Sequence, residues 1–249
     1  MNGLIVMGAL VLVVGGIGWS WGLSALTRKD RRYVALIPVG LPMSAAVNLL
    51  VKAPLIMGIA ALARLPPTLT PATPFPMVLF LWAVSPVTEE ATKLVPLLIP
   101  SLRRRVTVDP NAALWSGMAV GIGYGLGEAA YLAYNLSSLP EYRDLPWYLF
   151  TGFFFERQLT LFVHGVLAAV SYSGFQRGGR WRWTGYLVAA GLHALTNAGA
   201  VLARVGLLPA GIASLWLIAI VFALSLLLDR LRRQAHMPER VEVLFQRSP

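Results

Sequence analysis

Carboxylates and imidazoles recur in the central half of this chain, inside stretches that are otherwise apolar. Glu89 and Glu90 are adjacent, and His164 and His193 follow on later stretches, with Asn197 four residues after the second histidine. A carboxylate beside an imidazole can activate water or bind a divalent cation, and a neutral amide can stabilise an oxyanion. These residue types predict hydrolytic or cation-dependent chemistry if the fold brings them together.

Lys93 shares a helical face with the glutamate pair. It lies four residues after Glu89 and three after Glu90, and both spacings place side chains on one face of a helix. An ionisable residue deep in a bilayer costs about 2.5–3.5 kcal/mol on insertion scales, so each one requires a partner or a role. Because a single lysine cannot neutralise two carboxylates, we expect one glutamate to bind water or a cation, or to be protonated.

Three further charged residues occur in apolar stretches. Glu128 continues a face formed by the glycines at 117, 121 and 125, so the face that permits close helix packing also carries an acid, and we expect Glu128 to point into the bundle. Glu156 and Arg157 are adjacent and favour a structural ion network. Glu128, Lys93 and Arg157 are therefore predicted to support the site rather than to react.

Depth estimates place most of these residues at one level. At about 1.5 Å per helical residue from the predicted cytoplasmic ends, Glu89 and Glu90 lie roughly 15 Å in, His164 roughly 12 Å and His193 roughly 14 Å. Glu128 comes out deeper, at roughly 24 Å. Three helices are thus predicted to bring carboxylates and imidazoles together, and the prolines flanking the glutamate pair favour a hydrated cavity there.

The elements that position these residues must be membrane helices. The chain has 249 residues, of which 57% are hydrophobic and only 13% charged, and apolar stretches of about 20 residues span a bilayer as helices. We predict an all-α integral membrane protein with a bundle of about seven transmembrane helices, at 3–26, 33–63, 75–99, 112–134, 147–172, 184–203 and 208–228. The second span carries Pro38, Pro42, Lys52 and Pro54 and is predicted to be kinked or tilted.

The basic residues indicate the orientation. A net charge of +10 would suggest nucleic acid in a soluble protein, but 15 of the 21 Lys and Arg residues lie in alternate loops and in the tail. The positive-inside rule then places the N-terminus outside and the C-terminus in the cytoplasm. We therefore expect the lipid bilayer, and no nucleic acid, among the partners.

The chain is predicted to form a single polytopic membrane domain over residues 1–233, with the motif-bearing core at about 75–203 and a cytoplasmic tail at 234–249. Within the tail, Glu242-Val-Leu-Phe-Gln246 resembles the core of a viral 3C protease site used in expression vectors, although Arg247 and Ser248 replace the usual Gly-Pro. Native and vector origins of the last ten or so residues both stay open.

Several other protease chemistries lack the residues that they need. Cysteine is absent, which excludes a thiol nucleophile. The four aspartates lie in predicted loops or at span ends, so an intramembrane aspartyl pair is excluded, and no H-E-x-x-H zinc motif occurs. No serine lies in a convincing nucleophile turn at the level of the histidines, and Ser85 is the nearest candidate.

The ordered set of motifs resembles the PrsW family of membrane proteases, a group related to type II CAAX prenyl proteases and to the APH-1 scaffold of γ-secretase. The matching residues run from about 85 to 200, each motif on a separate predicted span: Glu89-Glu90-Ala-Thr-Lys93, Tyr124-Gly-Leu-Gly-Glu128, Arg157 with His164, and His193-Ala-Leu-Thr-Asn197. The CAAX relatives carry a histidine where this chain has Glu128.

The resemblance implies peptide hydrolysis without a covalent intermediate. One of Glu89 and Glu90, by similarity to the CAAX pattern Glu89, would activate water, Lys93 would orient its neighbour, and His164, His193 and Asn197 would position water or stabilise the oxyanion. The implied partner is a membrane protein or lipidated peptide substrate, in a prokaryotic plasma membrane. Zn²⁺ stays open as a cofactor, with Glu89, Glu90, His164 and His193 as the ligands that would hold it.

Two other functions stay open from the sequence. The same polar residues could hold together a complex around a non-catalytic scaffold of the APH-1 kind. Carboxylates at mid-depth also suit a cation-coupled or proton-coupled transporter, although the paired broken helices of such transporters are not evident.

Overall fold

The computed structural model describes residues 2–28 and 30–236. Within those ranges the regular structure is entirely helical, as predicted. The 3C-like segment at 242–246, and the rest of the predicted tail after residue 236, lie outside the described residues. The long helical segments are α1 (Gly3–Leu26), α2 (Arg31–Ala63), α3 (Phe75–Lys93), α4 (Pro110–Ser137), α5 (Trp147–Arg177), α6 (Trp181–Arg204) and α7 (Ala210–His236).

Five of these segments, α1, α2, α5, α6 and α7, are long and apolar enough to cross a membrane. The protein is therefore an all-α, multi-pass membrane protein. α3 and α4 fall on the two other predicted spans but are less apolar, because α3 carries two glutamates and a lysine and α4 is rich in glycine. Seven spans and the predicted orientation of the termini remain predictions.

The third span differs from its predicted bounds. The α-helix ends at Lys93 instead of continuing to residue 99, and the chain goes on as a 3₁₀ turn at Val95–Leu98 followed by a short helix at Pro100–Val106. Pro96 and Pro100 lack the amide hydrogen that an α-helix needs at these positions. Lys93 and the glutamate pair therefore lie in the last turns of α3.

The central helix of the bundle is α4, which is buried from Ala112 to Gly127. Its glycines permit backbone contact on two sides. A Cβ added at Gly121 would lie 2.1 Å from the carbonyl oxygen of His164 on α5, and one added at Gly123 would lie within 2 Å of the Ile37 carbonyl on α2. The predicted close packing along the glycine face is confirmed for α4 against α5.

The predicted irregularity of the second span is confirmed in α2. A turn at residues 35–36 interrupts it, and a π-helical turn spans Asn48–Lys52. Pro54 follows this turn closely. Its ring would clash with the carbonyl of Leu50 in a regular α-helix and it has no amide to donate there, which favours the wider turn.

Candidate active site

The two adjacent glutamates of α3 are both buried and face different neighbours. Successive residues of a helix point about 100° apart. Glu89 turns toward α2, where its Oε1 accepts a hydrogen bond from Lys52 Nζ at 2.7 Å. Glu90 turns toward Lys93 and α6. Each carboxylate thus has its own cation.

Glu90 is held by two donors on one oxygen. Its Oε1 accepts from Lys93 Nζ at 2.6 Å and lies 2.7 Å from Nδ1 of His193. Of the two lysine pairings that the spacing allowed, the structure forms the one with Glu90, three residues before Lys93, while Glu89 pairs with Lys52. Lys93 thus does not neutralise both carboxylates, as expected, and a second lysine reaches Glu89 from α2.

Glu89 keeps one oxygen without a partner among the described residues. Its Oε2 is fully buried and makes no hydrogen bond there, and it lies 3.9 Å from Nε2 of His193. A buried, unpaired carboxylate oxygen is costly unless it receives a hydrogen bond or binds a cation. This atom therefore marks a position for a water molecule or a metal ion. Oε2 of Glu90 is also buried and unpaired.

His164 is bound on both ring nitrogens. Its Nδ1 lies 2.9 Å from Lys93 Nζ, and its Nε2 lies 2.9 Å from Oε2 of Glu128. Since the lysine ammonium can only donate, Nδ1 accepts and Nε2 carries the proton that it donates to Glu128. Glu128 therefore lies at the site, and its greater estimated depth did not separate it from the histidines.

Arg157 extends the polar cluster along α5. Its guanidinium donates to Oε2 of Glu128 at 3.0 Å and also pairs with Glu156. The predicted ion pair between Glu156 and Arg157 is confirmed, and through Glu128 it is connected to His164. The two histidine rings approach each other edge to face, with centroids 5.3 Å apart. The structure thus brings together residues from α2, α3, α4, α5 and α6.

A cavity of about 610 Å³ opens from the histidine pair between α4, α5, α6 and α7. The sequence predicted a hydrated cavity at the glutamate pair, whereas the cavity described here borders the two histidines, and neither Glu89 nor Glu90 lines it. Its lining on α4, α5 and α6 begins with Glu128, His164 and His193, and includes Asn197. The basic end is the start of α4 and α6 and the end of α5. On each of these helices, every other lining residue lies farther from the basic end than Glu128, His164 or His193 does. The cavity therefore leads away from the arginine-rich loops.

Three of the four predicted metal-ligating residues form one group. Single ligand atoms from Glu89, His164 and His193 lie within 4.8 Å of one another, and all three residues are buried. Glu90 is not part of this group, since one of its oxygens is shared by Lys93 and His193. Two imidazoles and a carboxylate with an unpaired oxygen fit Zn²⁺, which commonly takes three protein ligands in catalytic sites.

Lys52 is the site residue that the sequence reasoning left aside. A lysine inside an apolar span was its signal, since such a residue needs an anionic partner. The partner was not evident because it lies 37 residues away, on another helix, and depends on the π-helical turn of α2.

The fold and the site together define a class: multi-pass helical membrane proteins with a buried glutamate–histidine centre. A sequence profile described as the PrsW family of intramembrane metalloproteases matches residues 39–226 of the chain. The chain belongs to this family, and it is therefore an intramembrane protease in general terms. The match covers all the polar residues described above, including Lys52. No curated protein and no solved structure matches the chain.

Proposed function

We propose that the protein hydrolyses a peptide bond in a membrane-embedded or membrane-adjacent protein, with water activated by Glu89. The observation that carries this proposal is the buried, unpaired Oε2 of Glu89, 3.9 Å from Nε2 of His193. A general base must be able to contact the proton that it removes, and this oxygen has no competing hydrogen-bond donor among the described residues. Glu90 also keeps one unpaired oxygen, but its Oε1 is shared by Lys93 and His193, which suits Glu90 to orient that histidine.

Hydrogen bonds set the protonation of both histidines. Glu90 accepts from Nδ1 of His193, which leaves Nε2 of that ring as the acceptor that faces Glu89. Glu128 accepts from Nε2 of His164, which leaves Nδ1 as the acceptor. Carboxylates that orient imidazoles in this way are typical of metal and hydrolytic sites. Glu90 and Glu128 are thus proposed as positioning residues.

The residues present fit the metal that the family description implies. Glu89, His164 and His193 would hold Zn²⁺, and the metal would supply Lewis-acid stabilisation and a more acidic water. Lys93 donates to Nδ1 of His164, and Glu128 accepts from Nε2 of the same ring, so one of these contacts would have to give way for His164 to bind the metal.

The chain's own groups account for the proton transfers. When no metal is bound to Oε2 of Glu89, this oxygen takes a proton from the attacking water as the water oxygen bonds to the scissile carbonyl carbon. Asn197, one turn beyond His193 on the cavity wall, is suited to donate to the oxyanion. Glu89 then returns the proton to the leaving amine as the carbon–nitrogen bond breaks, so the carboxylate is regenerated.

The cavity supports a direction of substrate approach. It leads from the histidines toward the end of the bundle opposite the basic loops, and it is lined by apolar residues on α4 and α7 beside polar groups on α5 and α6. A single transmembrane segment that partly unwinds could occupy such a space. With the orientation predicted from the basic loops, the peptide bond would be reached from outside the cytoplasm.

Cleavage of a panel of single-span reporter proteins by the purified protein tests the proposal. Glu89→Gln should lower turnover about 10²–10⁴-fold, as expected for loss of a general base, and His164→Ala and His193→Ala should also abolish cleavage in folded protein. Glu141→Gln, in the exposed short helix Pro140–Arg143 before α5, is the matched control and should cleave normally. A chelator that stops cleavage, with recovery on adding Zn²⁺, would support the metal.

A different result would favour the scaffold function. If folded wild-type protein cleaves none of the reporters, while the same substitutions destabilise the protein or release a partner, hydrolysis is excluded as the role of these residues. Full activity of folded Glu89→Gln would exclude Glu89 as the base and leave Glu90 as the alternative.

A further inference from the structure

Lys52 lies at the end of an otherwise lipid-facing stretch of α2. In the π-helical turn Asn48–Lys52, Leu49, Leu50 and Val51 are exposed, whereas only 12% of the Lys52 side chain is exposed. After the turn, Ala60 is the one buried residue of Ala53–Ala63. A charged residue that turns inward from such a segment is held there by a specific partner, and that partner is Glu89.

The π-helical turn determines which way Lys52 points. One extra residue in a turn rotates everything after it by about 100° relative to a regular α-helix. Before the turn, α2 is fixed against α4 by backbone contacts, since a Cβ at Gly40 would lie 2.1 Å from the Val120 carbonyl. The fixed first half and the turn together direct the lysine across to α3. Such turns are frequent at functional sites.

The ion pair with Lys52 gives the two carboxylate oxygens of Glu89 different surroundings. Oε1 is bound by Lys52 at 2.7 Å, and Oε2 is the unpaired atom near His193. Without Lys52 the carboxylate could rotate, and it would be a buried charge with no cation of its own, because Lys93 is engaged by Glu90 and His164. The lysine therefore fixes which oxygen of Glu89 faces the reaction space.

We propose that Lys52 is a positioning residue that holds one oxygen of Glu89 and thereby directs the other toward His193. The inference rests on the proposed function, because it assigns a role through Glu89. The inference also predicts whether removal of Lys52 strengthens or weakens the binding of a divalent cation. A lysine that merely repelled cations would, on removal, strengthen binding of a divalent ion. A lysine that orients a ligand would, on removal, weaken it.

The test compares wild type with Lys52→Met, Lys52→Arg and Lys52→Gln. Lys52→Met should lower kcat and weaken Co²⁺ binding, followed by its visible absorption, by about 10–100-fold each, the usual cost of losing an orienting partner of a ligand. KM should stay unchanged, since Lys52 does not line the cavity proposed to hold the substrate. Lys52→Arg keeps a charged donor and should restore most of the turnover. Leu50→Met, on the lipid-facing side of the same turn, is the matched control.

Thermal unfolding separates positioning from folding. Lys52→Met and Glu89→Gln should each lower the Tm, and the double variant should lose less than the sum, because neither charge is then left without its partner. If Lys52→Met does not fold, Lys52→Gln takes its place, since it keeps a shorter, uncharged donor and should still lower kcat.

The outcomes distinguish this inference from the proposed function. If wild type cleaves no reporter, the proposed protease function is overturned, and the positioning role, which rests on it, is overturned as well. If wild type cleaves and folded Lys52→Met keeps its kcat, or binds Co²⁺ more tightly, the positioning role is overturned while the protease function stands. If wild type cleaves but binds no Co²⁺, kcat alone decides, and an unchanged kcat again overturns the role.

Discussion

The two halves of the α4–α5 pair are packed in opposite ways. On the basic side of His164 the helices touch through their backbones, at Gly117 against Ala168 and at Gly121 against the His164 carbonyl. Beyond Glu128 the same helices are separated by the cavity, with Leu132 and Leu136 on its wall. One pair of helices thus seals the site at one end and opens it at the other. The histidine lies where the packing changes.

The half of the pair on the basic side of His164, the closed half, is packed through small residues. The half that borders the cavity, the open half, carries charged residues. Glycine lets two helix backbones approach without side chains between them. Glu128 and Arg157 instead place long, paired side chains between α4 and α5 where the cavity begins. The change in packing therefore lies at the level of His164.

The largest expected effect comes from breaking the closed half. In Gly121→Ala the new Cβ would lie 2.1 Å from the backbone carbonyl of His164, which no side-chain rotation can relieve. We expect destabilisation of at least about 1–3 kcal/mol, the usual cost of overpacking, and loss of cleavage because His164 is displaced. Thermal unfolding in detergent and reporter cleavage measure both.

Gly191→Ala is the control for that substitution. It lies on α6 two residues from His193, and a Cβ there meets nothing within 4 Å. It should be neutral or gain up to about 1 kcal/mol from helix propensity. Equal Tm values for the two variants would contradict the close packing of α4 and α5.

An intermediate effect is expected from filling the open half. Ala200 lines the cavity on α6, so Ala200→Trp should obstruct substrate without touching Glu89 or the histidines. We expect KM to rise about tenfold, equivalent to about 1.4 kcal/mol of binding, while kcat changes little. Steady-state cleavage at several substrate concentrations separates the two constants.

The matched control is Ala219→Trp, an exposed position on α7 that does not line the cavity. It should leave KM as in wild type. A kcat defect in Ala200→Trp, with KM unaltered, would mean that substrate does not use this cavity.

The smallest effect is expected at the rim of the open half. Glu156 pairs with Arg157, but 44% of its side chain is exposed, and Arg157 keeps Glu128 as a partner when Glu156 is neutral. Glu156→Gln should cost under about 1 kcal/mol of stability, as is typical of exposed ion pairs, and leave cleavage near wild type. Thermal unfolding and a cleavage assay check this, and a large loss would place Glu156 in the reaction.

The sequence predicted the members of the cluster better than their pairings. Spacing placed Glu89, Glu90 and Lys93 near one another, and the depth estimates brought His164 and His193 to their level, because both depend only on the geometry of single helices. The choice of Glu90 by Lys93 depends on how α3 is rotated against its neighbours, which spacing does not specify.

Lys52 and Glu128 show what single-helix geometry omits. The inward direction of Lys52 depends on a π-helical turn and on the packing of α2 against α4. Glu128 was estimated about 10 Å deeper than the histidines because counting residues at about 1.5 Å each ignores tilt, unequal starting levels and side-chain reach. Both residues enter the site through contacts between helices.

The ion pairs also impose an order on biosynthesis. Lys52 is made before Glu89, so the cation that pairs with Glu89 is already present in α2 when α3 is made. Glu128 has no such advantage, since Arg157 is 29 residues later in the chain. At about 5–20 residues per second, this interval lasts about one to six seconds. During that interval Glu128 lacks its arginine partner, so α4 gains this ion pair only after α5 has been made.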